Sequence, residues 1–169
     1  MNNYIDVTEK WITESKPGNS KITFSNFVIS FDNKRYDSDN SILNFETNED
    51  ILCANWFKNN IWYKCVFQPS VKYPQNVKSA DLRIYGNCTF INGNTIEIKI
   101  IGSSREDGLI KRIKQAKHQS PNVLVDVSNY PYDEKTIKKN ISRYFINHHW
   151  IKLIAVKRND SLLFVWTKI

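Results

Sequence analysis

The sequence predicts a mixed α/β fold, in which a β-sheet is flanked by helices and the core runs in the order α-β-β-β-α-β after a short β-rich N-terminal extension. Two observations lead to this prediction. Short runs of β-branched and aromatic residues alternate with segments in which apolar residues recur every three or four positions. One run, from Asn122 to Val127, is almost wholly apolar, which is typical of a central strand buried on both faces.

Length and charge limit the class of protein. The chain has 169 residues, about one domain, which is enough to bury a core without disulfides or structural metals. Its net charge of +7 favours an anionic partner, such as nucleic acid or an acidic membrane surface. Cys53, Cys65 and Cys88 form no CxxC pair, so we expect buried or incidental thiols in a reducing compartment. No apolar run approaches the ~20 residues of a transmembrane helix, and we expect a soluble chain that acts in the cytoplasm.

Residues 1–41 are predicted to form an N-terminal extension, and residues 42–169 the main domain. The extension is polar and is interrupted at Pro17 to Ser20. Residues 21–31 are rich in β-branched and aromatic side chains and predict a strand within it.

The main domain is predicted to begin with a helix. From Ile42 to about Asn59 the apolar residues recur at near-helical spacing, and Asn44 or Thr47 is placed to cap the start. A loop with two prolines separates the first two strands that follow. The four predicted strands cover residues 61–67, 80–85, 88–91 and 95–101.

Two amphipathic helices are predicted in the C-terminal half. The first starts near Ser103. It has an apolar stripe on one side and a basic outer face, Lys111 to Lys117, on the other. The second runs from Asp133 to Asn147. A terminal hairpin with strands at 150–156 and 162–167 completes the domain. The inward residues of the second helix are predicted to be Ile137, Ile141, Tyr144 and Phe145.

Glu97 and Lys99 place two opposite charges on a strand otherwise built for burial. Successive side chains of a strand point to opposite faces, so these two residues share one face and the isoleucines around them fill the other. A buried charge is tolerated only when it is paired or bound to a metal. Asp81, sixteen residues before Glu97, supplies a third charged group. The pattern predicts a metal-dependent nuclease centre; the alternative is an exposed ion pair worth about 0 to 1 kcal/mol.

These three side chains match the needs of phosphodiester hydrolysis. The reaction requires a divalent cation that polarises the phosphoryl oxygen, an activated water and positive charge near the transition state. Mg²⁺ prefers carboxylates and backbone carbonyls, so the predicted ligands of Mg²⁺ or Mn²⁺ are Asp81, Glu97 and the carbonyl of Ile98. Lys99 is predicted to orient or deprotonate the water or to neutralise charge on the phosphate.

An Asp followed on the next strand by Glu-x-Lys resembles the PD-(D/E)xK nuclease superfamily. Here Ser79-Ala80-Asp81 departs from the Pro-Asp form of the first element but retains the metal-binding Asp. The resemblance implies a restriction-endonuclease-like fold, whose α-β-β-β-α-β order residues 42–128 follow.

The flanking segments resemble a narrower group, the C-terminal tRNase toxin domains of contact-dependent growth inhibition proteins. The segments that carry this resemblance are 47–52, 80–84, 97–99, 113–120 and 122–126, and it covers about residues 42–167. It implies that a helical Glu joins the metal site, Glu49 by position with Glu46 as the rival. It also implies substrate phosphate contacts from the helix after Glu-x-Lys. The nucleic-acid-binding residues are accordingly predicted to be Lys111, Lys114, Gln115, Lys117 and Gln119.

Two further polar residues are candidates for the site. His118 is the one histidine placed close to it by sequence, and Asp126 either joins it or holds a helix terminus, the structural role being favoured.

The predicted function is a toxin-type endonuclease that hydrolyses RNA, with tRNA preferred on the resemblance alone. The alternatives are a DNA endonuclease of the same superfamily and a catalytically inactive nuclease fold that binds nucleic acid or a protein. The toxin resemblance also implies a small, acidic immunity protein as a partner. The sequence begins at Met1 without a long delivery stalk, so it predicts the chemistry rather than the route into a target cell.

Overall fold

A computed structural model describes residues 4–14, 23–30, 32–45, 47–60, 64–85 and 94–168. The helices are α1 (Thr8–Glu14), α2 (Asn48–Asn60), α3 (Gly108–Gln115), followed by a 3₁₀ turn (Ala116–His118), and α4 (Glu134–Asn147). The first six strands are β1 (Tyr4–Asp6), β2 (Thr23–Phe24), β3 (Phe27–Ile29), β4 (Arg35–Asp37), β5 (Ile42–Asn44) and β6 (Lys64–Phe67). The last six are β7 (Ser70–Tyr73), β8 (Leu82–Tyr85), β9 (Thr95–Ile100), β10 (Asn122–Asp126), β11 (Leu153–Arg158) and β12 (Ser161–Lys168).

Within the described residues, eight strands form one mixed sheet in the order β1-β12-β11-β10-β9-β8-β6-β2. β10 lies near its centre and pairs in parallel with both β9 and β11. β8 pairs antiparallel with β9 and with β6, and β11 pairs antiparallel with β12. The large mixed sheet and the buried central strand are therefore confirmed.

Two apolar layers cover the two faces of this sheet. Leu124 of β10 packs with α2, whereas Val123 and Val125 point to the opposite face and pack with α3 and α4. The alternation follows from the two-residue period of a strand. The helix predicted from residue 133 begins where expected, because the Asp133 side chain accepts from the Thr136 N–H at 2.8 Å. Its four predicted inward residues are all buried.

The first core helix starts later than predicted. Ile42–Asn44 is a strand that pairs with Ser70–Tyr73, in the region predicted as a loop around Pro69 and Pro74. Apolar residues in this short segment recur at near-helical spacing, but the segment pairs with a distant strand and is therefore extended. Thr47, one of the two predicted caps, begins α2: its hydroxyl accepts from the Asp50 N–H at 3.4 Å and donates to the Asp50 carboxylate at 2.6 Å.

Two strands of the predicted extension, residues 1–41, lie at the two edges of the main sheet. β1 pairs with β12 at one edge, and β2 pairs with β6 at the other. Trp11 of α1 is 3% exposed and packs in the same layer as α2. Short strands of two or three residues carry little periodic signal, which is why these pairings were not predicted.

Several predicted features lie outside the described residues. They are the strand at 88–91, Cys88, the interruption at 17–20 and the rival ligand Glu46. Cys53 and Cys65 are both buried, and burial raises the pKa of the Cys53 thiol to about 12. None of the helices in the described ranges has the length and apolar character needed to cross a bilayer.

Replacing Trp11 with Ala should lower the free energy of unfolding by about 3–5 kcal/mol, because it removes a buried aromatic side chain from the shared core. Ile12, the next residue, is 52% exposed, so Ile12→Ala is a matched control that should change stability by about 0.5 kcal/mol or less. Urea unfolding followed by circular dichroism measures both. Equal stabilities of the two variants would show that α1 is not part of the domain core.

Candidate active site

Asp81 and β9 meet where β8 begins. Leu82 of β8 pairs with Ile96 of β9, which places Asp81, one residue before β8, beside the following part of β9. Asp81 Oδ2 accepts a hydrogen bond of 2.7 Å from the Ile98 backbone N–H. This hydrogen bond continues the contact between β8 and β9 beyond their paired backbones, through the Asp81 side chain. It fixes the carboxylate against the strand that carries Glu97.

Glu97 is completely buried, at 0% exposure. Its Oε1 accepts a hydrogen bond from Lys99 Nζ, and the side chain of Lys99 is 13% exposed. Its Oε2 has no hydrogen-bond partner within the described part of the chain. An unsatisfied buried acceptor costs about 1–3 kcal/mol, and more when charged, so this oxygen is a candidate metal ligand.

Asp81 and Glu97 both have raised pKa values, and part of the shift at Glu97 comes from Asp81. Burial raises the pKa of Asp81 to about 6, although the Lys99 ammonium and the Ile98 N–H oppose the shift. Burial and then the negative charge of Asp81 raise the pKa of Glu97 well above its ordinary value. Two buried, adjacent carboxylates favour a cation that would let both ionise.

The backbone of Ile98 is positioned to be a third ligand. Its N–H points toward the β8 side of β9, where it meets Asp81, and the C=O of a strand residue points to the same side as its N–H. Within the described residues, the pairing of β8 with β9 covers Thr95 and Ile96 and does not reach Ile98. The carbonyl therefore faces the region beside the two carboxylates. Two carboxylates, a carbonyl and additional waters are a donor set that suits Mg²⁺.

Asp81, Glu97 and Lys99 open into a cavity of about 510 Å³, here called the carboxylate cleft. Glu49 and Asp50, in the first turn of α2, line its other wall. Asp50 contributes to the raised pKa of Asp81. In the described ranges no three His, Cys, Asp or Glu side chains are close enough together to form a metal cluster. Glu49 therefore lies on the wall of the cleft without closing a three-carboxylate site.

The predicted basic helix presents only part of its length to the cleft. Arg112 and Gln119 line it, and Gln119 Nε2 donates to the Ser79 carbonyl at 3.1 Å. Lys117 and His118 line an adjacent cavity.

The other three predicted contact residues line neither cavity. Lys111 pairs with Asp107 at 2.6 Å, and Lys114 Nζ lies 5.9 Å from the Tyr144 ring centroid. The side-chain amide oxygen of Gln115 accepts from Arg112 Nη1 at 2.9 Å. The charge of a side chain could not show which of Arg112, Lys111 and Lys114 lines the cleft, because this depends on how α3 is rotated on the sheet.

Asp126 lies in an ion pair away from the two carboxylates. It accepts from Lys157 Nζ at 2.6 Å and from the Ser128 N–H at 2.9 Å, which agrees with the structural role favoured for it. Lys78 is a lining residue that the sequence analysis did not select. The sequence feature that could have pointed to Lys78 is its position three residues before Asp81.

Comparison with known proteins gives a match over the C-terminal part of the chain. Residues 89–162 match the family model of the contact-dependent growth inhibition CdiA C-terminal domain. The matched segment includes Glu97, Lys99, α3 and β10, but it spans less than half of the chain and leaves out Asp81 and α2.

One solved structure is similar over much of its length. It is the CdiA-CT/CdiI toxin and immunity complex from Burkholderia pseudomallei, which aligns with a TM-score of 0.49 and 18% sequence identity. The alignment covers 69% of this chain and 80% of that chain. No curated protein matches the sequence.

The raised pKa of Asp81 predicts how stability changes with pH in the absence of metal. The folded protein holds a proton up to about pH 6, whereas an unfolded Asp loses it near pH 3.9, so stability falls as the pH rises between these values. Asp81→Asn cannot ionise and should be more stable than the unmodified protein at pH 8, by on the order of 2 kcal/mol. The difference should vanish near pH 4.

Thermal unfolding in EDTA across this pH range measures the effect. Asp107→Asn is the matched control, because Asp107 is an exposed carboxylate whose pKa is lowered by Lys111. It should show no gain at pH 8. A constant difference between Asp81→Asn and the unmodified protein from pH 4 to 8 would contradict the assignment of the shift to Asp81.

Proposed function

We propose that the protein is a metal-dependent nuclease of the toxin type, with a restriction-endonuclease-like core of the PD-(D/E)xK superfamily. The observation that carries the proposal is the fully buried Glu97, whose Oε2 has no hydrogen-bond partner among the described residues. Glu97 lies beside Asp81 and opens into a cleft that Lys99 and Arg112 also line. The match of residues 89–162 to a growth-inhibition toxin family supports it. The preferred substrate is RNA, specifically tRNA, on family resemblance.

Asp81, Glu97 and the Ile98 carbonyl would hold the cation, Mg²⁺ or Mn²⁺. When bound, it would polarise the phosphoryl group and stabilise negative charge that develops there. Because the site must be deprotonated to bind a cation, affinity should rise as the pH passes through about 6.

The chain's own residues have separate roles in the proposed hydrolysis. The water oxygen forms a bond to phosphorus while the bond from phosphorus to the leaving oxygen breaks. The water loses a proton to solvent, and the leaving oxygen takes one up from solvent. Lys99 orients this water and offsets the added negative charge. Arg112 and Gln119 bind the phosphate backbone on the α3 side of the cleft. Glu49 and Asp50 are in place to contact waters on the opposite wall.

Incubation of the purified protein with Mg²⁺ and either total tRNA or duplex DNA tests the reaction and the substrate together. We expect tRNA to be cut, EDTA to stop cleavage, and Mg²⁺ or Mn²⁺ to restore it. Asp81→Asn, Glu97→Gln and Lys99→Ala should each lower the rate by about 10²-fold or more. Lys139→Ala, an exposed lysine of α4 that lines neither cavity, is the matched control and should retain full activity.

Preferential cutting of duplex DNA would favour the superfamily's DNA endonucleases. Undiminished activity of the Glu97 and Lys99 variants would refute the proposed centre. Absence of cleavage, with nucleic-acid binding retained, would favour an inactive nuclease fold.

We further propose that a small acidic immunity protein covers the cleft, because a basic toxin of net charge +7 needs a complementary inhibitor in the cell that makes it. The product of a neighbouring gene should bind the protein, block cleavage and associate more slowly at high salt. Arg112→Ala should slow association in surface plasmon resonance, and Lys139→Ala should not. A neighbouring product that is basic, or that binds without blocking cleavage, would contradict the proposal.

A further inference from the structure

A second cavity, here called the tyrosine cavity, lies beside the carboxylate cleft. Its volume is about 640 Å³, within the range of sites that hold small molecules. It is lined from three directions: Tyr36 on β4, the segment after β7, and the 3₁₀ turn with Lys117. Val77 and Lys78 line both cavities. The two cavities therefore adjoin at these two residues.

The charges that line the tyrosine cavity favour an anion. Lys78 and Lys117 are exposed, and neither forms an ion pair with another described residue. Asp32 is the one carboxylate among the described lining residues. It accepts from the Ser30 hydroxyl and, at 3.2 Å, from the Lys34 N–H, and Lys34 Nζ lies 3.8 Å away. The Asp32 carboxylate thus already has partners in Ser30 and Lys34, and Lys78 and Lys117 are available to phosphate groups.

The Tyr36 ring supplies an apolar surface in the same cavity. It is half-buried on β4, where its backbone pairs with Val28 of β3. Within the described part of the chain the ring has no aromatic or cationic neighbour in contact and its hydroxyl has no hydrogen-bond partner. A half-buried aromatic face next to unpaired lysines is the combination by which proteins hold single-stranded nucleic acid.

We propose that the tyrosine cavity binds one unpaired nucleotide of the substrate, next to the phosphate that lies in the carboxylate cleft. The base stacks on Tyr36, Lys78 contacts the phosphate between the two cavities, and Lys117 contacts the next phosphate. A base within a continuous duplex is already stacked and cannot enter. The substrate class is therefore single-stranded or looped nucleic acid. This inference rests on the proposed nuclease function for the position of the scissile phosphate.

Binding in EDTA, where the proposed cleavage is stopped, tests the inference without relying on catalysis. Fluorescence anisotropy compares a labelled RNA strand with the same strand in a blunt duplex at one salt concentration. Tyr36→Ala should weaken binding of the single strand about tenfold, the scale of one stacked base, and leave the duplex unchanged. Tyr36→Phe keeps the ring and should bind as the unmodified protein does.

The lysines are tested by the salt dependence of binding. Lys117→Ala should reduce the slope of log Kd against log salt for the single strand by about 0.7. Lys139→Ala removes an equally exposed lysine away from both cavities and should leave the slope unchanged.

The inference fails if Tyr36→Ala binds the single strand as tightly as the unmodified protein, or if strand and duplex lose affinity equally. Thermal melts of the variants check folding, and Tyr36→Leu, which keeps apolar bulk without an aromatic face, should show the same loss as Tyr36→Ala. Metal-dependent cleavage combined with no effect at Tyr36 would reject this subsite alone. Tyr36-dependent binding without any cleavage would reject the nuclease function and leave the subsite.

Discussion

The burial of two carboxylates at the start of β8 is the constraint on which the rest of the site depends. Glu97 is completely buried and Asp81 is held against β9 by the Ile98 N–H. Burial raises the pKa of both carboxyls, the negative charge of Asp81 raises that of Glu97 further, and Lys99 offsets only part of these effects. An arrangement built for stability alone would replace these groups with apolar side chains, since a buried charge of this kind is costly. The molecule therefore gives up stability at this site, which is also where the proposed cation would bind.

The sheet keeps this arrangement rigid. Ile96 and Ile98 flank Glu97 along β9 and pack into the layer with α2, and β9 pairs in parallel with the central strand β10. On the other face, the apolar stripe of α3 anchors the helix at Leu109 and Ile113. The same packing that buries these residues turns Arg112 toward the cleft and leaves Lys111 paired with Asp107. Rigid elements on both sides hold the charged groups in place.

Sequence periodicity predicted the parts of the structure that depend on local pattern. The central strand, α4 and the shared face of Glu97 and Lys99 follow from repeats of two or 3.6 residues. The pairing of β5 with β7 and the two edge strands depend on partners far along the chain, which single-sequence periodicity does not contain. The same limit applies to the candidate site. Asp81 and Glu97 were found by motif, whereas Lys78 and Tyr36 come from segments with no pattern of their own.

The pairing of β1 with β12 joins the first and last described strands of the chain. The Val165 N–H donates to the Thr8 hydroxyl at 2.8 Å, and the Trp166 indole donates to Asp6 at 3.1 Å, so this edge is fixed by side chains as well as by backbone. Bringing these two strands together is slow, because the chain between them is long. Until then β12 has an unpaired edge open to other chains. Pairing of β1 with β12 is thus also the step that protects this side of β12 against aggregation.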